Sequence, residues 1–398
     1  MNILSLGNAH DNFISRLIGK IETRNKGAHP GFLERLILAT GFCAELNIRL
    51  TTKLFELFTE RCAGAKGFPE QRSTTGCESG VSVIIVNWNG GDLLSKCLNS
   101  LRTTFLGTEL KYELIIVDNG STDNSEKNPE KHFEPVKLIK LDKNTGFGKA
   151  NNLAVPTARY DKLLLLNNDV FINRAALLAL TRHFEKPDVF AVSPKALHSD
   201  GSLSEGHSWC ELSEDGPQYF NERQFPENAQ VKKTVPTLYA FGGCAMVRKD
   251  LFLELGGFDS IYNPFYWEDN DLSFMALKRG YQVLYDPGVS VIHDHGTTSA
   301  KLSKFYLLAI LVRNETVFLL KNINDRAIFR SVRNGLKHKI RTAVQTKDYS
   351  RIIGYILTSM QLPVLALRRI REIRDTVVSN TELFETMDHV RKANEIKS

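Results

Sequence analysis

The sequence predicts an α/β fold in which a mostly parallel, Rossmann-like sheet is flanked by helices, with helical extensions at both ends of the chain. Between residues 81 and 293, short apolar runs alternate with stretches of helical periodicity, a pattern typical of a parallel sheet with right-handed crossovers. Each apolar run stops at polar or glycine-rich residues, so the connecting loops share one edge of the sheet, where open α/β sheets bind ligands. Outside this region, apolar residues at helical spacing indicate amphipathic helices.

The composition is that of a soluble globular protein. The chain has 398 residues, of which 42% are hydrophobic and 24% charged, enough for one large domain or two smaller ones. The six cysteines are scattered without a CxxC pair, which argues against a zinc ribbon or a disulfide scaffold and favours a reducing compartment. Asp11, Asn12 and Arg16 lie where a signal peptide would be apolar, so we expect a cytoplasmic protein.

Residues 1–79 predict a helical extension followed by a linker. Apolar side chains recur at helical spacing from Pro30 to Ala63, which predicts one or two amphipathic helices. The polar, glycine-containing stretch from Gly64 to Gly80 is typical of a linker. No chemistry can be assigned here, and the expected role is packing, a partner or a membrane surface.

Four buried strands open the central region, because four short apolar runs stop abruptly at polar residues. These strands are predicted at residues 81–86, 112–117, 136–141 and 163–166. Helices are predicted from Asp92 to about Leu101 and from Lys149 onward.

The glycines before the second helix do not complete a dinucleotide-binding pattern. Asn151 stands where the third glycine of the GxGxxG pattern that starts at Gly146 should fall. The pattern also follows the third strand instead of the first, which disfavours a nicotinamide enzyme.

The strand at residues 163–166 ends in three polar residues, Asn167, Asn168 and Asp169. A carboxylate held at the end of a rigid strand suits a hard divalent cation and the phosphates that it carries. Asn and Asp are also common turn residues, so a simple strand-ending turn is the alternative.

The second half of the region continues the alternation. We predict, in order, a helix at 171–185, a strand at 189–194, a polar segment at 197–236, a strand at 238–247, helices at 249–255 and 268–279, and strands at 281–285 and 289–292. A polar segment as long as 197–236 is usually functional or mobile, which would suit a lid or an acceptor-binding insertion.

Carboxylates open the helix at 268–279, at Glu268, Asp269 and Asp271. Acids in a first turn favour the helix dipole, but the aromatic run 265–267 directly before them would also shield one carboxylate from water. His293 ends the last strand. A lone histidine there is more often structural, but its coincidence with the acids and with Asp169 favours a ligand.

Residues 301–398 predict a basic helical region. Between Lys321 and Arg374 there are 13 basic and 3 acidic residues. The run from Ile352 to Leu367 is uncharged but shorter and more polar than the roughly 20 apolar residues of a spanning helix. We expect it to lie on an anionic membrane surface, where basic flanks add about 1 kcal/mol each. The alternative is a helix packed on the core. Few aromatics interleave the charges, which disfavours nucleic-acid binding.

Seven motifs occur in a recognisable order. They are NWNGG (87–91), VDNGSTD (117–123), NTGFGKANN (144–152), LLNNDV (165–170), GGCAMVRKDLFLELGGFD (242–259), WEDNDL (267–272) and HDHG (293–296). With these motifs the chain resembles the family 2 inverting glycosyltransferases over about residues 81–300, and most closely the bacterial branch that contains many rhamnosyltransferases. The resemblance implies a GT-A fold in a domain at 80–300, followed by the basic region at 301–398.

The resemblance also implies roles for individual residues. Asp269 of the acidic pair Glu268–Asp269 matches the general base, Asp169 matches the last acid of the DxD motif, and His293 matches a histidine that completes the metal site in some members. The implied cofactor is Mg²⁺ or Mn²⁺ on the donor diphosphate. Residues implied in donor binding are Asn87, Asn89, Asp118, Gly146, Asn151, Asn167, Asn168, Gly242, Gly243 and Trp267.

Two features qualify these roles. Asn167 and Asn168 replace the first two positions of DxD, so this site has one carboxylate where many relatives have two or three, and its affinity for metal should be weaker. The aromatic run that includes Trp267 would serve either as a stacking platform for a sugar ring or as core.

The expected function is transfer of a hexose from a dTDP-, UDP- or GDP-linked donor to a hydroxyl of a glycan or lipid-linked acceptor. We expect this at the cytoplasmic face of a bacterial membrane, in surface polysaccharide synthesis, with dTDP-rhamnose as the first donor to test. One alternative is a sugar nucleotidyltransferase, which the acidic loop NWNGGD disfavours because such enzymes carry a basic phosphate loop there. The other is a non-catalytic sugar-nucleotide-binding protein, against which the presence of both Asp169 and Asp269 argues.

Overall fold

The computed structural model describes residues 30–59, 77–125, 136–225, 231–293 and 302–394. Most of the predicted linker at 64–80 and the residues Asp294–Gly296 of the HDHG motif lie outside these ranges. The helices are α1 Pro30–Thr59, α2 Asp92–Phe105, α3 Phe147–Ala154, α4 Arg174–Arg182, α5 Lys249–Leu255, α6 Glu268–Lys278, α7 Lys304–Asn322, α8 Arg326–Gln345, α9 Tyr349–Asp375 and α10 Asn380–Ala393.

The strands of the described ranges form one large sheet and a separate hairpin. They are β1 Glu78–Asn87, β2 Tyr112–Asp118, β3 Val136–Lys140, β4 Tyr160–Asn167, β5 Val170–Phe171, β6 Val189–Leu197, β7 Leu203–Glu205, β8 Ser208–Ser213, β9 Gly216–Asn221, β10 Val235–Pro236, β11 Cys244–Arg248 and β12 Gln282–His293. The large sheet has the order β10-β12-β6-β11-β4-β1-β2-β3, with β5 beside β12 and β7 beside β6, and β8 pairs only with β9.

The predicted α/β fold is confirmed, and its sheet is mostly parallel. Strands β1 to β4 run parallel, as do β6 and β12, whereas β11 is antiparallel to both of its neighbours. Successive residues of β1 face opposite sides, so Val83 and Ile85 pack against α2 and α4 while Ile84 joins a second core that includes α7, α8 and α9. This burial on both faces explains why the strands are apolar without interruption.

The polar segment at 197–236 is not the loop that the sequence suggested. Its described part contains β7, β8 and β9, and the Trp209 side chain there is fully buried. Trp209 stacks on His207 and Phe220 with ring centroids 5.9 and 5.7 Å apart. The prediction failed because these strands are short, and their apolar residues are too few to stand out from the polar ones around them.

Other boundaries differ from the predicted ones. The helix predicted from residue 171 begins at Arg174, because the Asn173 side chain accepts a hydrogen bond from the Ala176 N–H as an N-cap. The strand predicted at 238–247 covers only Cys244–Arg248. The two strands predicted at 281–285 and 289–292 form the single strand β12, which is interrupted by a register shift between Asp286 and Ser290.

The terminal helices pack on one another and on the hairpin of β8 and β9. Helix α9 packs along α7 and α1. It also contacts α8, where the Arg369 guanidinium of α9 lies 4.1 Å from the ring centroid of Phe329. Helix α9 is also the one described helix that is long and apolar enough to cross a membrane, and 44% of its apolar window is buried inside the protein. A helix of the core passes the same test, so length and composition do not separate the two expectations for this segment.

Candidate active site

Three neighbouring strand ends bring the first group of predicted residues together. Asn87 at the end of β1 pairs with Asp118 of β2, and Val86 pairs with Asn167 of β4. Since the three strands are parallel, their carboxyl ends form one edge, as the sequence predicted. The edge carries polar side chains on a rigid, fully paired backbone.

The loop after β2 holds the loop after β1. The buried Asn87 amide donates to Ser125 Oγ at 2.9 Å and to Ser121 Oγ at 3.3 Å. Asn89, at a φ of 50°, accepts from the Thr122 N–H at 2.7 Å. Asp118 is buried and accepts from the Ser121 N–H at 3.2 Å. These bonds leave a compact polar wall of the kind that a nucleoside requires for hydrogen bonding.

The asparagines of the NND sequence fix its backbone. The Asn168 amide donates to Asn87 Oδ1 at 2.8 Å, and the Asn167 N–H donates to the Gly243 carbonyl at 2.9 Å. A Cβ atom on Gly90 would lie 2.2 Å from Asn87 Oδ1, so the bond between the two asparagine side chains depends on that glycine. In the structure Asn168 therefore orients the loop next to Asp169.

Asp169 and His293 face each other across the sheet edge. His293 Nε2 lies 3.5 Å from Asp169 Oδ1, an oxygen that is buried and has no hydrogen-bond partner among the described residues. The other ring nitrogen of His293 bonds Ser204 Oγ at 3.1 Å, which fixes the orientation of the imidazole. An unsatisfied buried carboxylate oxygen opposite an imidazole nitrogen fits a divalent cation, and no third such side chain joins them within the described ranges.

The segment Phe241–Gly243 joins this pair to the acids of α6. The Gly242 N–H donates to Asp269 Oδ2 at 3.0 Å, the Gly243 carbonyl bonds Asn167, and the Phe241 ring lies 5.1 Å from the His293 ring. A Cβ atom on Gly242 would lie 3.1 Å from Asp269 Oδ2. The segment 241–243 therefore contacts both His293 of the predicted metal pair and Asp269, the predicted base.

The two acids at the start of α6 have raised pKa values. Burial, and then the neighbouring Asp269 carboxylate, raise the pKa of Glu268 to about 8. Burial also raises the pKa of Asp269, although hydrogen bonds from the Gly242 and Asn270 N–H groups oppose the shift. A carboxylate that is partly desolvated and yet oriented by donors is suited to accept a proton near neutral pH.

Trp267, Gly146 and Asn151 have structural contacts. The Trp267 ring packs against Phe318 of α7 and Tyr219 of β9, with centroids 5.0 and 5.8 Å away, which agrees with the core alternative. Asn151 is buried, and its amide donates to the Phe147 carbonyl of its own helix at 3.0 Å. Gly146 lies against the loop before α6, where a Cβ atom would be 2.7 Å from the Pro264 carbonyl oxygen.

Sequence reasoning missed the contribution of the segment at 197–236. Ser204 orients His293, and next to it the buried Glu205 bonds Arg223 and Asn221 and is close enough for its pKa to respond to the charges of Asp269 and His293. Burial raises the pKa of Glu205. The sequence offered only the length of the segment as a signal, because a serine and a glutamate in a polar stretch form no pattern.

Comparison with known proteins identifies relatives for this region. Residues 82–256 match the family model described as "Glycosyl transferase family 2". The chain is 26% identical over 255 residues to N-acetylglucosaminyl-diphospho-decaprenol L-rhamnosyltransferase of Mycobacterium tuberculosis, which covers 57% of this chain and 80% of the relative. It is 35% identical over 102 residues to poly(ribitol-phosphate) beta-glucosyltransferase of Bacillus spizizenii, covering 25% of this chain and 16% of that relative.

A solved structure shares the fold. GalNAc-T7, crystallised with UDP, GalNAc and Mn²⁺, superposes with a TM-score of 0.56 at 15% identity, over 80% of this chain and 58% of that chain. At 15% sequence identity the structural similarity shows a shared fold and nothing more. It confirms the GT-A architecture that the motifs implied.

Proposed function

We propose that this chain, a glycosyltransferase with a family 2 domain at residues 82–256, transfers a hexose with inversion from a nucleoside diphosphate sugar to a hydroxyl of a glycan or lipid-linked acceptor. The observation that carries the proposal is the Asp269 carboxylate, which the Gly242 N–H holds at 3.0 Å. It lies beside the segment that also contacts His293 and Asn167. A proton acceptor and a diphosphate-binding edge are thus held by one short piece of backbone.

The Asp269 carboxylate acts as the general base of the reaction. In an inverting displacement the acceptor oxygen attacks the anomeric carbon as the bond from that carbon to the diphosphate oxygen breaks. The acceptor hydroxyl proton passes to Asp269, and the nucleoside diphosphate departs. The Gly242 N–H orients the carboxylate, and the buried Glu268 beside it raises the electrostatic cost of leaving both acids ionised.

The donor lies along the strand-end edge. Asn87, Asn89 and Asp118 provide polar groups for the nucleoside, and Asn167 and Asn168 border the diphosphate. Asp169 and His293 would hold Mg²⁺ or Mn²⁺, which when bound neutralises negative charge on the diphosphate. The mixed oxygen and imidazole donor set suits Mn²⁺ at least as well as Mg²⁺, and GalNAc-T7 is a relative in fold that was crystallised with Mn²⁺.

The first donor to test is dTDP-rhamnose, and the first acceptor class is a lipid-linked diphosphate glycan in surface polysaccharide synthesis. The support is the relative at 26% identity, whose name describes rhamnosyl transfer to a diphospho-decaprenol acceptor. The name of the second relative describes glucosyl transfer to poly(ribitol phosphate).

Access to a lipid-linked acceptor would come from attachment to the inner face of the cell membrane. Helix α9 exposes an apolar stripe, Met360, Val364, Leu367 and Ile370, with exposed fractions from 36% to 64%, and the exposed basic residues Arg371 and Arg374 lie at its C-terminal end. Helix α1 exposes a second stripe, Phe42, Leu46, Leu50 and Leu54. Apolar stripes next to basic side chains suit the surface of an anionic bilayer.

The test is nucleoside diphosphate release from a panel of dTDP-, UDP- and GDP-sugars, with and without Mn²⁺, using membrane extract as acceptor. We expect release from one donor, and we expect Asp269→Asn to bind that donor with unchanged affinity but to lose at least a hundredfold in turnover, because the geometry remains while the base is lost. Near-wild-type transfer by Asp269→Asn would refute the assignment of the base. Donor binding without release in both proteins would establish a non-catalytic sugar-nucleotide-binding protein instead.

A further inference from the structure

The loop before the two acids of α6 has an unusual backbone. It runs from Tyr262 to Trp267, and its last two residues, Tyr266 and Trp267, have φ values of 70° and 76°. Large aromatic residues rarely adopt this left-handed region, and they remain in it only where surrounding contacts determine the conformation. Since Trp267 directly precedes Glu268 and Asp269, the conformation of this loop sets where α6 begins.

The contacts that determine the loop come from α7, in the C-terminal region and outside the residues matched to the family model. The buried Asn314 amide nitrogen lies within hydrogen-bond distance of three loop carbonyls, those of Tyr262 at 3.0 Å, Phe265 at 3.0 Å and Tyr266 at 2.9 Å. One side chain thus bonds carbonyls at both ends of the loop. The loop is neither helix nor strand between these residues, so regular backbone hydrogen bonding does not hold it.

Arg313 supports the same loop and orients Asn314. Its fully buried guanidinium donates from Nη2 to the Tyr262 carbonyl at 3.2 Å and to the Asn263 carbonyl, and from Nε to Asn314 Oδ1 at 2.8 Å. Because the Asn314 oxygen accepts from Arg313, its amide nitrogen is the atom directed at the loop. Without Asn314 the Phe265 and Tyr266 carbonyls lose the hydrogen bonds that this amide supplies, and without Arg313 the Asn263 carbonyl loses its donor.

The helix that carries the pair is itself fixed against α6. Lys321 lies about two turns of helix further along α7. It bonds Asp271 Oδ2 at 2.6 Å and Asp259 Oδ2 at 2.9 Å, and the Asn322 amide bonds Asp271 Oδ1 at 2.7 Å. Helix α7 therefore holds Asp271 in the first turn of α6 and, separately, the loop before that turn. A change at Asn314 releases the loop next to Glu268 and Asp269 while the bonds to Asp271 keep the rest of α6 in place.

We propose that Asn314, oriented by Arg313, is a positioning residue for transfer: it holds the Tyr262–Trp267 loop so that the Asp269 carboxylate meets the Gly242 N–H and the acceptor hydroxyl. This inference rests on the proposed function, in which Asp269 is the base. Donor contacts lie mainly at the strand-end edge, so loosening the loop reduces the catalytic step and leaves donor binding largely intact. A displacement of about 1 Å at a reacting group lowers rates by about a hundredfold.

The experiment compares Asn314→Ala with Thr316→Val in the full chain. Thr316 is a buried polar residue of the same helix, and its hydroxyl donates to the Val312 carbonyl of that helix. Its variant therefore controls for a general loss of packing in α7. We expect Asn314→Ala to lower kcat ten- to a hundredfold while the donor KM and the donor Kd from calorimetry change less than threefold. Thr316→Val should keep kcat within threefold of wild type.

Several outcomes overturn the inference. These are a kcat for Asn314→Ala within threefold of wild type, an equal loss in Thr316→Val, or a donor Kd that weakens as much as kcat falls. Where thermal melting shows Asn314→Ala to be unfolded, Asn314→Ser, which keeps one donor, is judged by the same limits. Asp269→Asn is measured in parallel. If Asp269→Asn keeps full turnover, the proposed base is refuted. If Asp269→Asn is inactive while Asn314→Ala is fully active, only the positioning role is refuted.

Discussion

At the scale of residues, Glu268 and Asp269 show how two adjacent acids can differ in protonation. Asp269 accepts hydrogen bonds from the Gly242 and Asn270 N–H groups, at 3.0 and 2.9 Å. Glu268 Oε2 is buried and has no hydrogen-bond partner in the described chain. Donors stabilise a carboxylate and desolvation destabilises one, so the proton of this pair is favoured on Glu268 and the negative charge on Asp269. This order agrees with the proposed role of Asp269 as the base.

The raised pKa of Glu268 predicts a pH dependence of stability. The pKa rises from 4.5 to about 8 on folding, so the folded state binds the proton more tightly. The stability that the protonated form provides is fully present below pH 4.5, and it decreases as the pH rises toward 8. We expect Glu268→Gln, which cannot ionise, to remove this decrease. Above about pH 8 its free energy of unfolding should exceed that of wild type by about 1.4 kcal/mol for each unit by which the pKa is raised, and below pH 4.5 the two should agree.

The measurement is urea unfolding of both proteins between pH 5 and pH 9. The control is Glu385→Gln, a change at an exposed glutamate of α10, which should run parallel to wild type. Parallel curves for Glu268→Gln as well would mean that Glu268 is ionised in the folded protein.

At the scale of elements, the site depends on two loops that touch. The loop after β3 reaches Gly146, at a φ of 87°, and there it meets the Pro264 carbonyl of the loop before α6. Glycine is favoured at position 146 for two reasons: the backbone has a positive φ, and a Cβ atom would lie too close to the Pro264 carbonyl oxygen. The proposed donor side and the proposed base side of the site are thus in contact through backbone atoms.

Gly146→Ala should therefore be more harmful than the same change at a glycine with a similar φ. Gly201 has a φ of 84°, and a Cβ atom there would meet nothing within 4 Å. We expect Gly201→Ala to lose about 1–2 kcal/mol of stability from backbone strain alone. Gly146→Ala should lose more and should also lower transfer at least tenfold, because the added methyl group displaces the Pro264 loop. Denaturant unfolding and transfer assays of the two variants check these expectations. If Gly146→Ala and Gly201→Ala have the same effects on stability and on transfer, the contact with Pro264 does not matter for either.

At the scale of the whole molecule, the C-terminal helices pack closely on one another. Gly354 of α9 packs so closely on α7 that a Cβ atom would lie 2.8 Å from the Ala309 carbonyl oxygen. Helix α9 therefore packs directly against the helix that carries Arg313 and Asn314. Its outer face, with Leu367 and Ile370, stays exposed. One helix thus combines a buried structural face with the apolar face proposed for the membrane.

This double role decides how membrane attachment should be tested. Deleting residues 351–398 would remove buried side chains such as Leu357 and Leu365, so a changed distribution would also report unfolding. We expect Leu367→Glu combined with Ile370→Glu to weaken binding to anionic vesicles at least tenfold, since each apolar side chain contributes about 1.5–3 kcal/mol when buried. Leu212→Glu, at an exposed leucine of β8, is the matched control. Unchanged sedimentation of the double variant with vesicles would leave α9 as a packing element.

The sequence alone determined the fold class and the edge of the sheet at which the site lies. Uninterrupted apolar runs such as residues 163–166 report burial on both faces, and the residues that end them, Asn87, Asp118 and Asn167, must share an edge once the strands are parallel. The helix that starts at Glu268 was also predicted, because its pattern is local. All of these follow from short-range periodicity and from a rule of topology.

Only the tertiary structure decided which distant side chains complete the site. Ser204 meets His293 across 89 positions, and Asn314 meets Tyr266 across 48, and a contact of this kind leaves no local pattern because the two residues are selected by position in space. The same holds for Trp267, whose ring packs on Phe318, and for α9, whose apolar residues divide between a buried and an exposed face. Periodicity shows that a residue is apolar or polar, and the packed chain alone determines what it touches.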